Sequence, residues 1–283
     1  MKSLIILLAG LVYTITLKAQ ESFLVYSVKG AVTITENNKT AKAKIGSLLG
    51  PAAQITLPAN AAVTFICNQT GLFTLDKAGK HALTDYKDQC TNKSASVSSN
   101  YLKYVWTQLT QKPGTPEKNR KQFMNNVGAV SRNINNVWID PRLDTFYYTA
   151  GKSYAEADEY EFILYDAPKG GTPLFTITTK NQYLNVKDIS KQLQADKAYY
   201  WTAAIKGQQN EERKMMKLWH KEDYQKLLKT FSDSGNSYEQ EGAKLFREAF
   251  LLEQAHFLAD AYTYYQKAVS LQPDVELYAT TLK

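Results

Sequence analysis

Val63-Thr-Phe-Ile-Cys-Asn-Gln-Thr-Gly-Leu-Phe-Thr-Leu75 alternates Val63, Phe65 and Cys67 with Thr64, Ile66 and Asn68. A period of two is the signature of a half-buried strand. Gly71 then reads as the turn into Leu72-Phe-Thr-Leu75, and Gly79 as the next turn. The same grammar extends backwards. Phe23 to Val28 ends at Gly30, Ala31 to Thr35 continues, Asn37-Asn38 signals a turn, and Gln54 to Leu57 stops at Pro58. Residues 21–93 are therefore predicted to form a small antiparallel β domain. A unit of about 70 residues buries little core of its own. Cys67 and Cys90 are the two cysteines. In an oxidising compartment an even count reads as one disulfide, and closing a loop of this length contributes on the order of 3 kcal/mol. The other reading is one buried thiol in a strand and one free thiol in a loop.

The order Val28-Lys-Gly-Ala-Val-Thr-Ile34, then Lys44-Ile-Gly-Ser-Leu-Leu49, then a strand pair interrupted by Gly71, resembles a FecR-type periplasmic β domain. Gly30, Val32, Gly46, Leu49 and Gly71 occupy the places of that family's pattern. Gln69-Thr70 stand where the family has an Asp before the hairpin glycine. The resemblance implies a non-catalytic envelope module. It does not imply sigma-factor signalling, because that system's cytoplasmic segment and membrane helix are missing.

Beyond residue 93 the pattern changes twice. Residues 94–133 read as a helix followed by a basic linker. Tyr101, Val105 and Leu109 share one helical face, with Leu102 and Trp106 beside it, and Pro113-Gly-Thr-Pro116 ends it. Residues 134–219 read as a second β region. Tyr160, Phe162 and Leu164 alternate with Glu161, Ile163 and Tyr165, and Tyr199, Trp201, Ala203 and Ile205 share a face. The order of these strands resembles fibronectin type III or immunoglobulin-like sandwiches, with Trp201 as a core aromatic.

Residues 220–283 turn helical. Helices are expected over Glu222–Phe231, Tyr238–Ala255 and Phe257–Leu271, with a loop at Asp233–Ser237 and a stop at Pro273. Counted back from Pro273, Ala268, Tyr265 and Ala261 fall on small, aromatic and small packing positions, and Leu245 and Ala249 suit the preceding helix. The segment 242–275 is similar to a tetratricopeptide repeat, with Ala255-His256 where that family has a glycine. One repeat cannot bury both of its faces, so it must pack on the sandwich, on a copy of itself or on a partner.

The N-terminal residues 1–20, MKSLIILLAGLVYTITLKAQ, combine basic Lys2 with an uncharged run from Leu4 to Leu17. That pattern predicts a cleaved secretory signal peptide and a periplasmic or secreted protein. An uncleaved anchor is the competing reading. No later transmembrane helix is expected. Net charge is +7, and removal of Lys2 and Lys18 leaves +5. Seven of the remaining Lys and Arg lie in residues 100–142, against Glu117 and Asp140, so the basicity is local. Nucleic acid is a poor partner for an exported chain without a base-reading motif.

Catalytic signatures are missing from the sequence. His81, His220 and His256 lie in three different segments without metal-ligand spacing. No nucleophile elbow, phosphate loop or dinucleotide fingerprint occurs. No metal, no cofactor and no catalytic residue are expected. The expected architecture is multidomain α+β: a small antiparallel β domain, an Ig-like sandwich and a C-terminal tetratricopeptide-like segment. The expected function is non-enzymatic binding or scaffolding of an envelope protein, with Tyr262 and Tyr264 as aromatic anchors. The alternative is binding of an acidic envelope polysaccharide through Lys118, Arg120 and Lys121 and the sandwich. An enzyme is the third class, and it would require a cleft lined by convergent polar groups.

Overall fold

The computed structural model describes residues 22–90, 98–110, 136–140, 145–147, 159–181, 183–208, 213–235 and 237–281. The fold is α+β, in two compact units, Met1–Asn92 and Lys93–Lys283. Among the described residues no helix is long and apolar enough to cross a membrane.

The first unit contains eight short strands: β1 (Phe23–Lys29), β2 (Thr33–Glu36), β3 (Lys39–Lys42), β4 (Leu48–Leu49), β5 (Gln54–Leu57), β6 (Ala62–Cys67), β7 (Gly71–Leu75) and β8 (Gly79–Ala82). They pair antiparallel in two sheets, ordered β4-β1-β6-β7 and β3-β2-β5-β8. One apolar core draws on both sheets: Phe23, Val25, Ile34, Ile55, Val63, Phe65 and Phe73 are all buried in it. Phe65 and Phe73 stack with centroids 5.4 Å apart, and Phe23 meets Phe73 edge-on at 5.9 Å. A 3-10 segment, Leu83–Cys90, closes the unit. Its Leu83 is fully buried, and its Cys90 is disulfide-bonded to Cys67 of β6.

The β6–β7 turn differs from the sequence expectation. Gly71 does not make it. Asn68 (φ 49°) and Gln69 (φ 68°) adopt the left-handed conformation, and Thr70 N donates to Cys67 O over 3.3 Å. This is the primed turn whose twist suits a hairpin. Gly71 already lies in β7, opposite Cys67. A Cβ there would sit 2.7 Å from Cys90 O and 2.9 Å from Cys67 Sγ, so the disulfide requires a glycine beside it. The strain falls on Gln69, a residue without the freedom of glycine. Gln69→Gly is expected to stabilise the first unit by about 1 kcal/mol. A denaturation midpoint equal to or below that of the parent would refute this.

The second unit has two sheets and six helices among the described residues. Its strands are β9 (Asn136–Ile139), β10 (Thr145–Tyr147), β11 (Tyr160–Tyr165), β12 (Phe175–Thr179), β13 (Tyr183–Asn185), β14 (Ala198–Ile205) and β15 (Lys214–Leu218). Five form a sheet ordered β12-β11-β14-β15-β9, and β10 pairs with β13. All pairs are antiparallel except β15 with β9. Strand β15 is therefore not the last of its sheet, as Met215, Leu218 and Trp219 suggested; β9 lies outside it. The core combines Phe162, Leu164, Tyr199 and Trp201 of the large sheet with Phe146 and Leu184 of the small one. Trp201 stacks on Phe162 at 5.7 Å and takes the edge of Phe146 at 5.3 Å, as expected for a core aromatic. Gln194 N donates to the Tyr199 hydroxyl over 2.9 Å, five residues upstream of the tyrosine.

The helices are α1 (Ser99–Thr110), α2 (Val186–Ser190), α3 (Lys221–Asp233), α4 (Glu241–Gln254), α5 (Leu258–Leu271) and α6 (Glu276–Thr281). Residues Tyr238–Gln240, read as the start of α4, lie outside it. Helix α4 is buried on nearly every side, from Gly242 and Ala243 through Phe246 to Leu252. Helix α1 packs against it. Tyr104 stacks on Phe250 at 5.0 Å, Tyr101 tilts against the same ring at 5.4 Å, and Tyr104 Oη lies 3.1 Å from Thr281 Oγ1 of α6. The helix expected to lead into a linker is thus a member of the C-terminal helical layer. Its buried residues are Tyr101, Leu102, Tyr104 and Val105, which places the contact toward its N-terminal half.

Candidate functional site

Two sides of α5 are fixed by packing and a third faces outward. Ala261, Tyr265 and Ala268 are spaced i, i+4, i+7 and are buried. The Tyr265 ring meets Phe246 of α4 at 5.2 Å, and its hydroxyl donates to Glu253 Oε2 over 2.9 Å. Tyr265 is thus a packing residue, and its polar end is satisfied.

The turn between α4 and α5 explains how the sequence manages without a glycine. His256 takes φ 68°. His256 N donates to Glu253 O over 3.1 Å and Phe257 N to Leu252 O over 2.9 Å. These are the two hydrogen bonds of a Schellman cap, with histidine in the position glycine usually fills. The His256 ring meets Trp138 of β9 edge-on at 5.4 Å, and Trp138 N donates to His256 O over 3.0 Å. This turn covers the outer edge of β9. Phe257 packs against Trp219 at 5.1 Å and Tyr224 at 4.9 Å.

A second side of α5 carries a polar cluster. Tyr224 of α3 is buried, and its hydroxyl is held far above the usual tyrosine range. Burial is the largest cause, followed by the negative charges of Asp260 and then Asp140. Asp140 is itself buried just beyond β9. Tyr264 is half-buried on this side of α5, with Lys267 Nζ 5.6 Å above its ring.

The two tyrosines singled out in the sequence therefore do different things. At about 100° per residue, positions 262 and 264 lie about 200° apart around a helix. Tyr264 turns toward the Tyr224–Asp260 cluster. Tyr262 turns outward, 46% exposed. The basic candidates Lys118, Arg120 and Lys121 lie outside the described residues. Cys67 and Cys90 form the disulfide. Among the described residues no group of three or more His, Cys, Asp or Glu is placed to hold a metal ion.

One polar arrangement was not anticipated. Arg247 of α4 and Glu239 are both almost completely buried, with Nη2 to Oε2 at 2.9 Å and Nε to Oε1 at 3.1 Å. Arg247 Nη1 also donates to Phe231 O over 2.6 Å and to Ser234 Oγ over 2.9 Å. A Cβ at Gly235 would fall on the guanidinium, so this connection also needs its glycine. The adjacent Glu248 is buried, and burial raises its carboxyl above the usual range. Arg247 stands amid Ala243, Phe246 and Phe250 on a helix whose other charged residues are Glu241, Lys244, Glu248 and Glu253. The lone arginine in that run was the available signal.

No protein-family model matches the chain, and no match to a curated protein is found.

Proposed function

We propose that the chain is a non-enzymatic binding or scaffold protein of the bacterial envelope that engages a protein partner through the outward side of α5. The observation that carries this reading is Tyr262. It is a large aromatic left 46% exposed, about 90° around the helix from the side that Ala261, Tyr265 and Ala268 bury. An exposed tyrosine on a rigid element loses little conformational entropy when it is covered, which suits an interface anchor.

Several features support the modular reading. The strand order C′-C-F-G with a parallel first strand, and a separate B–E pair, is what an immunoglobulin-like sandwich requires of β12-β11-β14-β15-β9 and β10-β13. The bond from Gln194 N to Tyr199 has the form of a tyrosine corner. The buried small, aromatic and small residues of α5 favour the tetratricopeptide-like reading. Positive φ at Gly30 (79°) and Gly46 (88°) gives a physical reason for two glycines of the FecR-like pattern. The disulfide is in keeping with a periplasmic or secreted location.

The test is affinity capture from the native envelope with the parent chain and Tyr262→Ala. A protein retained by the parent and reduced at least tenfold by the variant, with the melting temperature unchanged, is the expected result. Equal retention by both would sink the proposed contact. Truncation after Trp219 is a poor test, because it removes the helices that cover β9 and α1.

A further inference from the structure

We infer that β12 is a self-pairing edge, through which two copies of this chain join their large sheets antiparallel about Ile177.

An unprotected edge is a template for further pairing, and proteins blunt it with charge, shortness or a covering element. Strand β3 carries exposed Lys39 and Lys42, and β4 is two residues long. Strand β7 is backed by the disulfide and by Tyr86, whose ring stacks on Phe73 at 5.7 Å. Strand β8 carries Gly79 and exposed Lys80, and its His81 is tied to Tyr86 at 2.7 Å. In the second unit, His256 O of the α4–α5 turn accepts a hydrogen bond from Trp138 N on the outer edge of β9. Among the described residues, strand β12 shows none of these devices. Among the described residues it pairs with β11 alone, and residues 170–179 contain no charge. Its sequence, Phe-Thr-Ile-Thr-Thr, is of high β propensity throughout.

The occupant follows from register. Two strands related by a two-fold axis keep core face against core face only if residue numbers of opposite pairs sum to an even value. Pairing Ile177 with Ile177 of a second copy meets this condition and uses the whole strand. Phe175 then faces Thr179, and Thr176 faces Thr178. Phe175 and Ile177 are partly buried against the core of their own unit, and the second copy would cover the side that remains open. Each of the two Thr176–Thr178 pairs repeats a device the chain already uses. Cross-strand Thr35 and Thr40 join hydroxyl to hydroxyl at 2.9 Å, and Thr64 and Thr74 at 2.8 Å. In this register the two copies of Lys180 lie about 20 Å apart, beyond the screening length of roughly 8–10 Å, so they do not oppose pairing. Pro173 lacks an N–H and ends the pairing edge on one side.

The interface is small, so a reversible dimer is expected. Sedimentation of the purified full chain should show the weight-average mass rising from one chain toward two with concentration. Thr176→Lys with Thr178→Lys, both at exposed positions, should hold the mass at one chain without moving the melting temperature. Ile177→Cys should form an intermolecular disulfide under mild oxidation, because the native cysteines are already bonded to each other. A parent chain that stays monomeric at all concentrations overturns the inference. So does a dimer that persists in the double-lysine variant, or one that Ile177→Cys fails to trap. The last two outcomes would place self-association on another surface.

Discussion

Arg247→Met is expected to destabilise the second unit by about 3–5 kcal/mol. The substitution keeps the length of the side chain but removes the guanidinium paired with Glu239, a carboxylate that is 3% exposed. Breaking a buried ion pair costs more than the pair contributed, because the surviving charge stays desolvated. Phe231 O and Ser234 Oγ each lose the bond from Arg247 in the same step, although Phe231 O keeps the one from Ser234 Oγ. The control is the double variant Arg247→Met, Glu239→Met. Removing both charges lifts the desolvation penalty, so the double variant should be more stable than Arg247→Met alone. The measurement is urea denaturation of the full chain. A single variant within about 1 kcal/mol of the parent would show that Glu239 finds another partner or is not buried in solution.

Replacing Cys67 and Cys90 together by Ala should cost the first unit about 3 kcal/mol and leave the second unit's transition where it was. The bridge spans 23 positions and anchors the 3-10 segment Leu83–Cys90 onto β6. Leu83 is fully buried, and Tyr86 stacks on Phe73, so the tethered segment supplies part of the core. For a unit of this size such a loss is a large share of the stability available. Two transitions should be visible by calorimetry, with the same one moved by the double substitution and by reductant. A shift below about 1 kcal/mol, or a shift of both transitions, would reject the account.

What the sequence made legible follows from the range of the forces involved. Alternation at Val63, Phe65 and Cys67, and the helical spacing of Ala261, Tyr265 and Ala268, are local patterns, and both found their elements. The Asn37-Asn38 turn is likewise local: both residues take positive φ, 50° and 60°. Gly71 was misread because its need is steric rather than conformational. The atoms it must clear belong to Cys90, nineteen positions on, and to the sulfur of Cys67 bonded to it. Tyr104 was passed over because its partners, Phe250 and Thr281, lie far along the chain. Glu239 lies just before α4 and Arg247 within it, so their pairing depends on how the chain enters the helix, which no periodicity records. The pairing of Tyr262 with Tyr264 as joint anchors neglected the helical screw: neighbours two apart do not share a side.

The bond between Tyr104 and Thr281 has a consequence for the order of assembly. Among the described residues, it joins the first helix of the second unit to its last across 177 positions. A chain made N-terminus first presents α1 early but supplies α4 and α6 only at the end. Until then the aromatic rings of Tyr101 and Tyr104 have no layer to enter. This is a topology of high contact order, which slows folding. It leaves the apolar side of α1 uncovered until the last helices of the unit are in place.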